Sequence, residues 1–185
     1  FRLGNRLLGN PASAAGLELT VTGPTLRFRS DATVALTGAS MRAELDCLAV
    51  AAWRPIDVRR GQTLVLGKID GAGARAYLSV RGGFDAPRYL GSRATFTLGR
   101  FGGHGGRQLR TGDVLHLALE PTGEPTTIDP KLIPRYERHW ELHAVYGPHG
   151  APDFFTPRDI ETFFAIRWTV HYNSSRTGVR LIGPK

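Results

Sequence analysis

Apolar and polar residues alternate with a period of two over much of the N-terminal part of the chain. Leu17, Leu19 and Val21 alternate with polar residues, and Leu26 and Phe28 alternate with arginines. This period is typical of half-buried strands, and it predicts further strands at residues 33–36, 41–45, 63–66, 75–80 and 114–119. Many short strands with turn residues between them indicate a β-barrel or a β-sandwich rather than alternating strands and helices.

Two helices are predicted from the residues at their ends. Residues 1–8 have the pattern of a helix that stops at Gly9 and Asn10, and Pro11 follows directly. Near the other end of the chain, Thr156 is a good N-cap and Pro157 suits the first helical position. The stretch "RDIETFFA" that follows supplies an apolar face. A mainly β protein with a few short helices is therefore expected.

Four prolines between residues 120 and 135 divide the chain. Proline at this density cannot continue a helix or a central strand, so residues 120–135 are predicted to be a linker. It would join a β-barrel-like subdomain at residues 1–119 to a second β subdomain at residues 136–185. The second subdomain contains the C-terminal helix and strands predicted at residues 140–146, 168–172 and 179–182. It is expected to be incomplete at its C-terminus, because an unpaired strand edge is left there.

The chain is strongly basic, with a formal net charge of +8 and a pI near 10.4. The arginines are scattered singly, without a basic block, a zinc finger or an RNA-binding sheet motif, so nucleic acid is not the expected partner. The scatter fits one piece of an assembly whose other parts are acidic. Because lysine is nearly absent, most of the positive charge is arginine, whose planar guanidinium suits carboxylate-like anions.

Cys47 is the single cysteine, so the chain has no disulfide framework. In the apolar context "LDCLAV" it is predicted to be a small buried hydrophobic residue. The sequence has no signal peptide and no apolar run long enough to span a bilayer, which favours the cytoplasm and no membrane partner. Because the first residue is Phe1 rather than methionine, the sequence leaves open whether a targeting segment lies upstream.

A glycine-rich loop surrounds one histidine in the stretch "RFGGHGGR". Gly102, Gly103, Gly105 and Gly106 flank His104 there. Such a density of glycine requires positive φ angles or a close approach of the backbone to something else. The spacing matches neither the dinucleotide fingerprint nor the nucleotide P-loop. The alternative is a turn that links two strands, with or without a ligand, and a lone histidine in a loop is more often solvated than catalytic. After the loop, the sequence predicts a turn at residues 111–113 and then a strand.

The stretch "HYNSSRTG" gathers the most hydrogen-bonding chemistry. Asn173, Ser174 and Arg176 offer amide, hydroxyl and guanidinium groups within one turn, and together they can hold a small planar polar molecule. The alternative is an Asx-type turn with an exposed arginine. A hydrolase triad is not supported, because G-x-S-x-G is missing. His139 and His143 lack the H-E-x-x-H order, so no metal site is predicted.

Several long stretches resemble one known family. They are "NRLLGNPASAAGLELTVTGPTLRF", "GARAYLSVRGGFDAPRYLGSRATFTLGRFGGHGGRQLRTGD" and "YGPHGAPDFFTPRDIETFFAIRWTVHYNSSRTGVRLIGPK". The chain is similar over essentially its whole length to the carboxyltransferase region of urea carboxylase, in the family also labelled allophanate hydrolase subunit 2. The resemblance implies a cyclophilin-like β-barrel architecture. It also implies that the chain is a truncated piece of a larger domain.

The resemblance further implies a biotin-dependent transfer in urea degradation, in which the carboxyl group of carboxybiotin passes to urea and forms allophanate. The residues it points to as catalytic are Arg176 and Asn173. The residues it points to for the substrate are Ser174, Tyr172, His171 and His149, and those for the cofactor are Gly102, Gly103 and His104.

Neither a biotin-attachment motif nor an ATP-binding segment occurs in the sequence. The family implies that biotin arrives on a partner domain and that ATP is used elsewhere in the assembly. The implied partners are a companion carboxyltransferase half resembling subunit 1, a biotin carrier domain and a biotin carboxylase domain. We expect the isolated chain to be inactive.

Two other functions within the same family stay open. The chain could belong to an ATP-dependent 5-oxoprolinase, or it could be a non-enzymatic regulator that binds a companion protein. Guanidine could also replace urea as the acceptor, because no residue in the sequence excludes it.

Overall fold

The computed structural model describes residues 1–119, 122–174 and 178–183. The chain divides into two units, Phe1–Trp140 and Glu141–Lys185. The elements of the first unit are α1 (Arg2–Leu7), β1 (Leu17–Thr20), β2 (Thr25–Arg27), β3 (Ala32–Gly38), β4 (Met41–Leu45), β5 (Leu48–Ala49), β6 (Ile56–Val58), β7 (Thr63–Ile69), β8 (Arg75–Val80) and a 3₁₀ turn (Pro130–Leu132). Those of the second unit are α2 (Pro157–Ala165), β9 (Thr169–Val170) and β10 (Leu181–Ile182).

Alternating side chains of two antiparallel sheets build the core of the first unit. One sheet has the strand order β1-β8-β3-β6, and the other has the order β2-β7-β4-β5. Leu78 of β8 lies opposite Leu17 on one side and Leu36 on the other. In the second sheet, Ala43 lies opposite Leu66. Both sheets contribute to a single apolar cluster, so the mainly β class predicted from the sequence is confirmed.

The N-terminal helix is held to the first sheet by apolar packing and by two buried asparagines. Leu7 and Leu8 pack in a second apolar cluster with Ala35 of β3. Asn5 and Asn10 are both buried, and the Asn10 amide donates to the Asn5 side chain and to the last carbonyl of β8. The predicted stop is confirmed, because α1 ends at Leu7 and Gly9 has a φ of +68°.

Several strands follow the prediction, and others differ from it. The strands predicted at residues 41–45 and 75–80 are confirmed with the same bounds, and β3 and β7 are longer than predicted. The prediction missed β5 and β6. The segment 114–119 is not a strand. Its backbone bonds to residues 83–85 on one side only within the described residues, through Asp85 N to His116 O at 2.8 Å and Ala118 N to Gly83 O at 2.9 Å.

The prediction of a buried Cys47 is wrong. Asp46 and Cys47 form the two-residue turn between β4 and β5, where Leu45 lies opposite Leu48. Both turn residues have positive φ angles, of +46° and +69°. This is the geometry that matches the twist of a tight hairpin. It places the cysteine side chain at the surface, where it is exposed.

In the second unit, the predicted helix start is confirmed. The Thr156 hydroxyl accepts a hydrogen bond from Asp159 N at 3.2 Å, and Thr156 N donates to the Asp159 carboxylate at 2.8 Å. This is a complete capping box. The strand predicted at residues 140–146 is wrong, because these residues have no regular structure. The strands predicted at 168–172 and 179–182 are shortened to the two-residue strands β9 and β10.

Helix length bears on membrane insertion. In the part of the chain that the structure describes, no helix is both long enough and apolar enough to cross a membrane.

Candidate functional site

The glycine-rich loop is folded back against its own chain. Phe96 and Phe101 exchange backbone hydrogen bonds of 2.9 and 3.3 Å, and Gly106 N donates to Gly102 O at 2.9 Å. Gly102 and Gly103 have φ angles of +73° and +51°. A Cβ atom added to Gly102 would collide with the carbonyl of residue 94, and one added to Gly103 with the hydroxyl of residue 95. Close approach within the chain therefore explains these two glycines.

The loop does not link two strands, as one interpretation of the sequence had it. Residues 97–100 turn between Phe96 and Phe101, which pair only as an isolated bridge. A strand needs several consecutive extended residues, and the positive φ angles of the loop interrupt the extended backbone. The turn predicted at residues 111–113 is confirmed, since Asp113 N donates to Arg110 O at 3.1 Å and Gly112 has a φ of +94°.

A bidentate ion pair joins the loop to the turn that follows. The two terminal nitrogens of Arg107 donate to the two carboxylate oxygens of Asp113 at 2.7 and 2.8 Å. Arg110 N donates to the same carboxylate at 2.7 Å, and His104 Nε2 lies 3.8 Å from it. The Arg107 guanidinium, more than the Arg110 amide, holds the pKa of Asp113 far below its usual value. Sequence reasoning missed this ion pair, although both residues lie in the short stretch "GRQLRTGD", which contains a glycine turn.

Replacing Asp113 with asparagine is expected to give a destabilisation that disappears in acid. A carboxyl group with a depressed pKa stabilises the folded state above its ordinary pKa of about 3.9, and this contribution decreases as the pH falls from there toward the folded-state pKa. The urea midpoint of the wild type should therefore exceed that of Asp113→Asn by a constant amount at neutral pH. The difference should shrink below about pH 4, in the range set by the depressed pKa.

The variant Arg107→Gln is the control for that pH dependence. Because the guanidinium is the main cause of the depressed pKa of Asp113, the acid sensitivity of the Asp113→Asn difference should be largely lost in the Arg107→Gln background. An unchanged pH profile in that background would contradict the assignment.

A cleft of about 290 Å³ opens beside the glycine-rich loop. We call it the loop cleft. Its lining consists of Pro87, Arg88, Tyr89, Arg100 and Phe101 together with the loop glycines. The rings of Tyr89 and Phe101 lie 4.8 Å apart. Sequence reasoning assigned Gly102 and Gly103 to the site, but it did not assign the two arginines or the aromatic pair.

Four predicted site residues lie together in the second unit. Asn173 N donates to His171 Nδ1 at 3.0 Å, and the Ser174 hydroxyl donates to His171 O at 2.7 Å. Arg180 N donates to the same hydroxyl at 3.1 Å. The ring of Tyr172 lies 4.3 Å from that of His171, and Tyr172 is 94% exposed. The structure therefore brings these four together, with the Ser174 hydroxyl holding the loop closed.

The remaining predicted residues fall elsewhere. His149 belongs to the second unit, where its ring meets that of Phe154 edge-on at 4.7 Å. Gly102, Gly103 and His104 belong to the first unit. Arg176, predicted to be catalytic, lies outside the described residues. Over residues 1–119, 122–174 and 178–183, no group of three or more His, Cys, Asp or Glu side chains could hold a metal ion.

Known proteins match this chain over essentially its whole length. Residues 1–185 match the family model described as carboxyltransferase domain, subdomain A and B. The chain is 46% identical to urea amidolyase of Saccharomyces cerevisiae, over 100% of this chain and 10% of that protein. It is 35% identical to a 5-oxoprolinase subunit of Escherichia coli, over 99% of this chain and 57% of that protein.

The chain is also similar to a solved structure of a protein of the same kind. The crystal structure of the Kluyveromyces lactis urea carboxylase matches 100% of this chain and 17% of its own, with a TM-score of 0.89 at 43% identity. The chain thus spans 10% of the urea amidolyase and 17% of the urea carboxylase that it matches.

Proposed function

The chain belongs to the family of carboxyltransferase domains, subdomain A and B, and on this premise we propose that it is part of a biotin-dependent carboxyltransferase whose acceptor is urea. The observation that carries the proposal is the 46% identity to a urea amidolyase over the full length of the chain. The identity to the 5-oxoprolinase subunit is lower, at 35%. The product of the proposed transfer, in which a urea nitrogen gains the carboxyl group, is allophanate.

The loop cleft fits the head of a carboxylated ring. Its aromatic walls can contact a small ring, and an atom added at Gly105 would meet open space. We therefore propose Gly102, Gly103 and His104 as cofactor-binding residues. Biotin, brought by a partner domain, would supply an activated carboxyl group there. The chain itself would contribute orientation and charge stabilisation, which are the main tasks in such transfers.

We propose that the loop that begins at His171 binds the substrate. Tyr172 and the Asn173 side chain are exposed and available to a ligand. The Ser174 hydroxyl is already bonded to His171 O and Arg180 N, so it would serve the substrate chiefly by fixing the loop. We propose Arg176 and Asn173 as the catalytic residues, and His171 and His149 as further residues that bind the substrate.

The other components of the assembly are proposed from the same premise. They are a companion carboxyltransferase half, a biotin carrier domain and a biotin carboxylase domain that consumes ATP. The chain would then be inactive alone, since it would neither carry biotin nor bind ATP. The single cysteine suits a reducing compartment, and we propose the cytoplasm.

ADP release by the full-length assembly tests the proposed function. With bicarbonate, ATP and the biotinylated carrier present, urea is expected to raise ADP release several-fold over the acceptor-free rate. Guanidine is tested in place of urea, and stimulation by guanidine alone would keep the reaction class but change the acceptor. The control is the same assembly with the carrier left unbiotinylated, in which urea should have no effect.

Other outcomes of that assay would move the chain to another function. Stimulation by 5-oxoproline without biotin would support the second candidate, an ATP-dependent 5-oxoprolinase, which the 35% identity to a component of that enzyme favours. An assembly that forms but responds to none of these compounds would contradict both enzymes and support a regulatory role.

A further inference from the structure

Positive charge is concentrated around the loop cleft. Residues 86–110 contain five arginines and no aspartate or glutamate, in a chain whose formal net charge is +8. These arginines are Arg88, Arg93, Arg100, Arg107 and Arg110. One short stretch therefore carries most of the net charge, and this stretch supplies the whole lining of the cleft.

Two arginines in the cleft lining have no anionic partner among the described residues. Arg107 is neutralised by Asp113, with which it forms a bidentate pair. Arg88 and Arg100 line the cleft, and neither forms an ion pair with any residue that the structure describes. Two like charges beside one cleft repel each other, so an anion that contacts both would be stabilised there.

Backbone donors add to the two guanidinium groups. Gly103 and Gly105 line the cleft, and their N–H groups donate to no acceptor among the described residues. Gly103 is buried, and a buried N–H group without an acceptor is costly unless a ligand or water accepts from it. The lining thus offers guanidinium and amide donors together, beside the rings of Tyr89 and Phe101, which are tilted by 46° to each other.

We propose that the loop cleft is a binding site for a carboxylate attached to a flat, largely apolar body, with Arg88 and Arg100 as the residues that recognise the carboxylate. The planar guanidinium matches a carboxylate with two parallel hydrogen bonds. The volume of about 290 Å³ is at the lower limit of ordinary ligand pockets, which suits a single ring rather than a nucleotide.

Two sources could supply this carboxylate. One is a small carboxylated ring compound, which under the proposed function would be the carboxyl donor, and in this respect alone the inference rests on that function. The other is an acidic side chain of a partner domain next to an aromatic residue. Carboxylate binding is measured without turnover, so its failure and that of the proposed function can be distinguished.

Calorimetric titration of the full-length polypeptide tests the site. The first probe is benzoate, and its neutral isostere benzamide is the control ligand. The second probe is the peptide acetyl-Glu-Phe-Glu-amide, which represents an acidic partner segment. Arg88→Gln and Arg100→Gln remove one cleft arginine each. Arg110→Gln is the matched control variant, because it removes the same charge from the same stretch outside the cleft lining.

Benzoate is expected to bind, benzamide is not, and each cleft variant should weaken binding about tenfold, the effect of losing one charged hydrogen bond. Arg110→Gln should change the affinity less than about twofold, through long-range charge only. Binding of the peptide but not of benzoate, with the same response to the variants, would support the site and identify a partner segment as its source. The proposal is overturned if neither probe binds, or if Arg110→Gln weakens binding as much as the cleft variants do.

Discussion

Replacing Asn10 with alanine is expected to lower the free energy of unfolding of the first unit by about 3 kcal/mol, because three buried hydrogen bonds of about 1 kcal/mol each are lost. The Asn10 amide donates to Asn5 Oδ1 at 3.1 Å and to Val80 O at 2.8 Å. Its oxygen accepts from Gly82 N at 2.9 Å. Asn5, Val80 and Gly82 are all buried, so water cannot replace the lost partner without entering the core.

The Asn10 side chain connects segments that are distant in sequence. It joins the end of α1 to the end of β8 and the backbone just after it, about 70 residues away. Asn5 extends the connection, because its amide donates to Ala14 O at 3.0 Å. The segment that leads from α1 to β1 is thus held to β8, one of the two inner strands of the first sheet.

Urea unfolding followed by tryptophan fluorescence measures this effect. The midpoint of Asn10→Ala should fall with little change in the slope. Asn173→Ala is the control, because Asn173 is exposed and a surface substitution changes stability by less than about 0.5 kcal/mol. Equal midpoints for wild type and Asn10→Ala would show that the buried network contributes nothing to stability.

The sequence predicted the part of the fold that local patterns determine. The alternation in 41–45 and 75–80 indicated strand bounds that the structure reproduces, and the cap at Thr156 indicated the start of α2. The β6 strand was missed because its alternation is confined to its three residues, whereas the alternation at β2 extends beyond the strand to Phe28 and Arg29. Residues 114–119 alternate as a strand does, but a strand also needs a neighbour with which to form a continuous ladder, and no local pattern reports one.

The candidate site was predictable only where it depends on residue type. The glycine-rich loop and the turn at 111–113 follow from composition, and both lie where expected. The pairing of Arg107 with Asp113, and the placing of Arg88 and Arg100 beside one cleft, depend on how the chain folds back on itself. Asn10 was interpreted only as a helix-stop residue, because sequence alone does not show which backbone groups a buried amide will meet.

The second large effect is expected at Gly103, where replacement with alanine should destabilise the first unit more than the same change at Gly105. Both residues have positive φ angles, of +51° and +67°, so alanine costs about 1–2 kcal/mol at each. At Gly105 the added methyl group would meet nothing within 4 Å. At Gly103 it would overlap Thr95, and such overpacking costs typically about 1–3 kcal/mol more.

Urea unfolding of the two variants, combined with Thr95→Ala, separates backbone strain from steric overlap. Thr95→Ala removes the hydroxyl that the new methyl group would meet first, so it should recover part of the loss in Gly103→Ala and none of the loss in Gly105→Ala. If both glycine variants lose the same stability, positive φ alone explains the loop, and contact with residues 94–95 is not its cause. The expected difference would instead mean that Gly103 is glycine because the chain packs on it, whereas Gly105 leaves the backbone open beside Arg88 and Arg100.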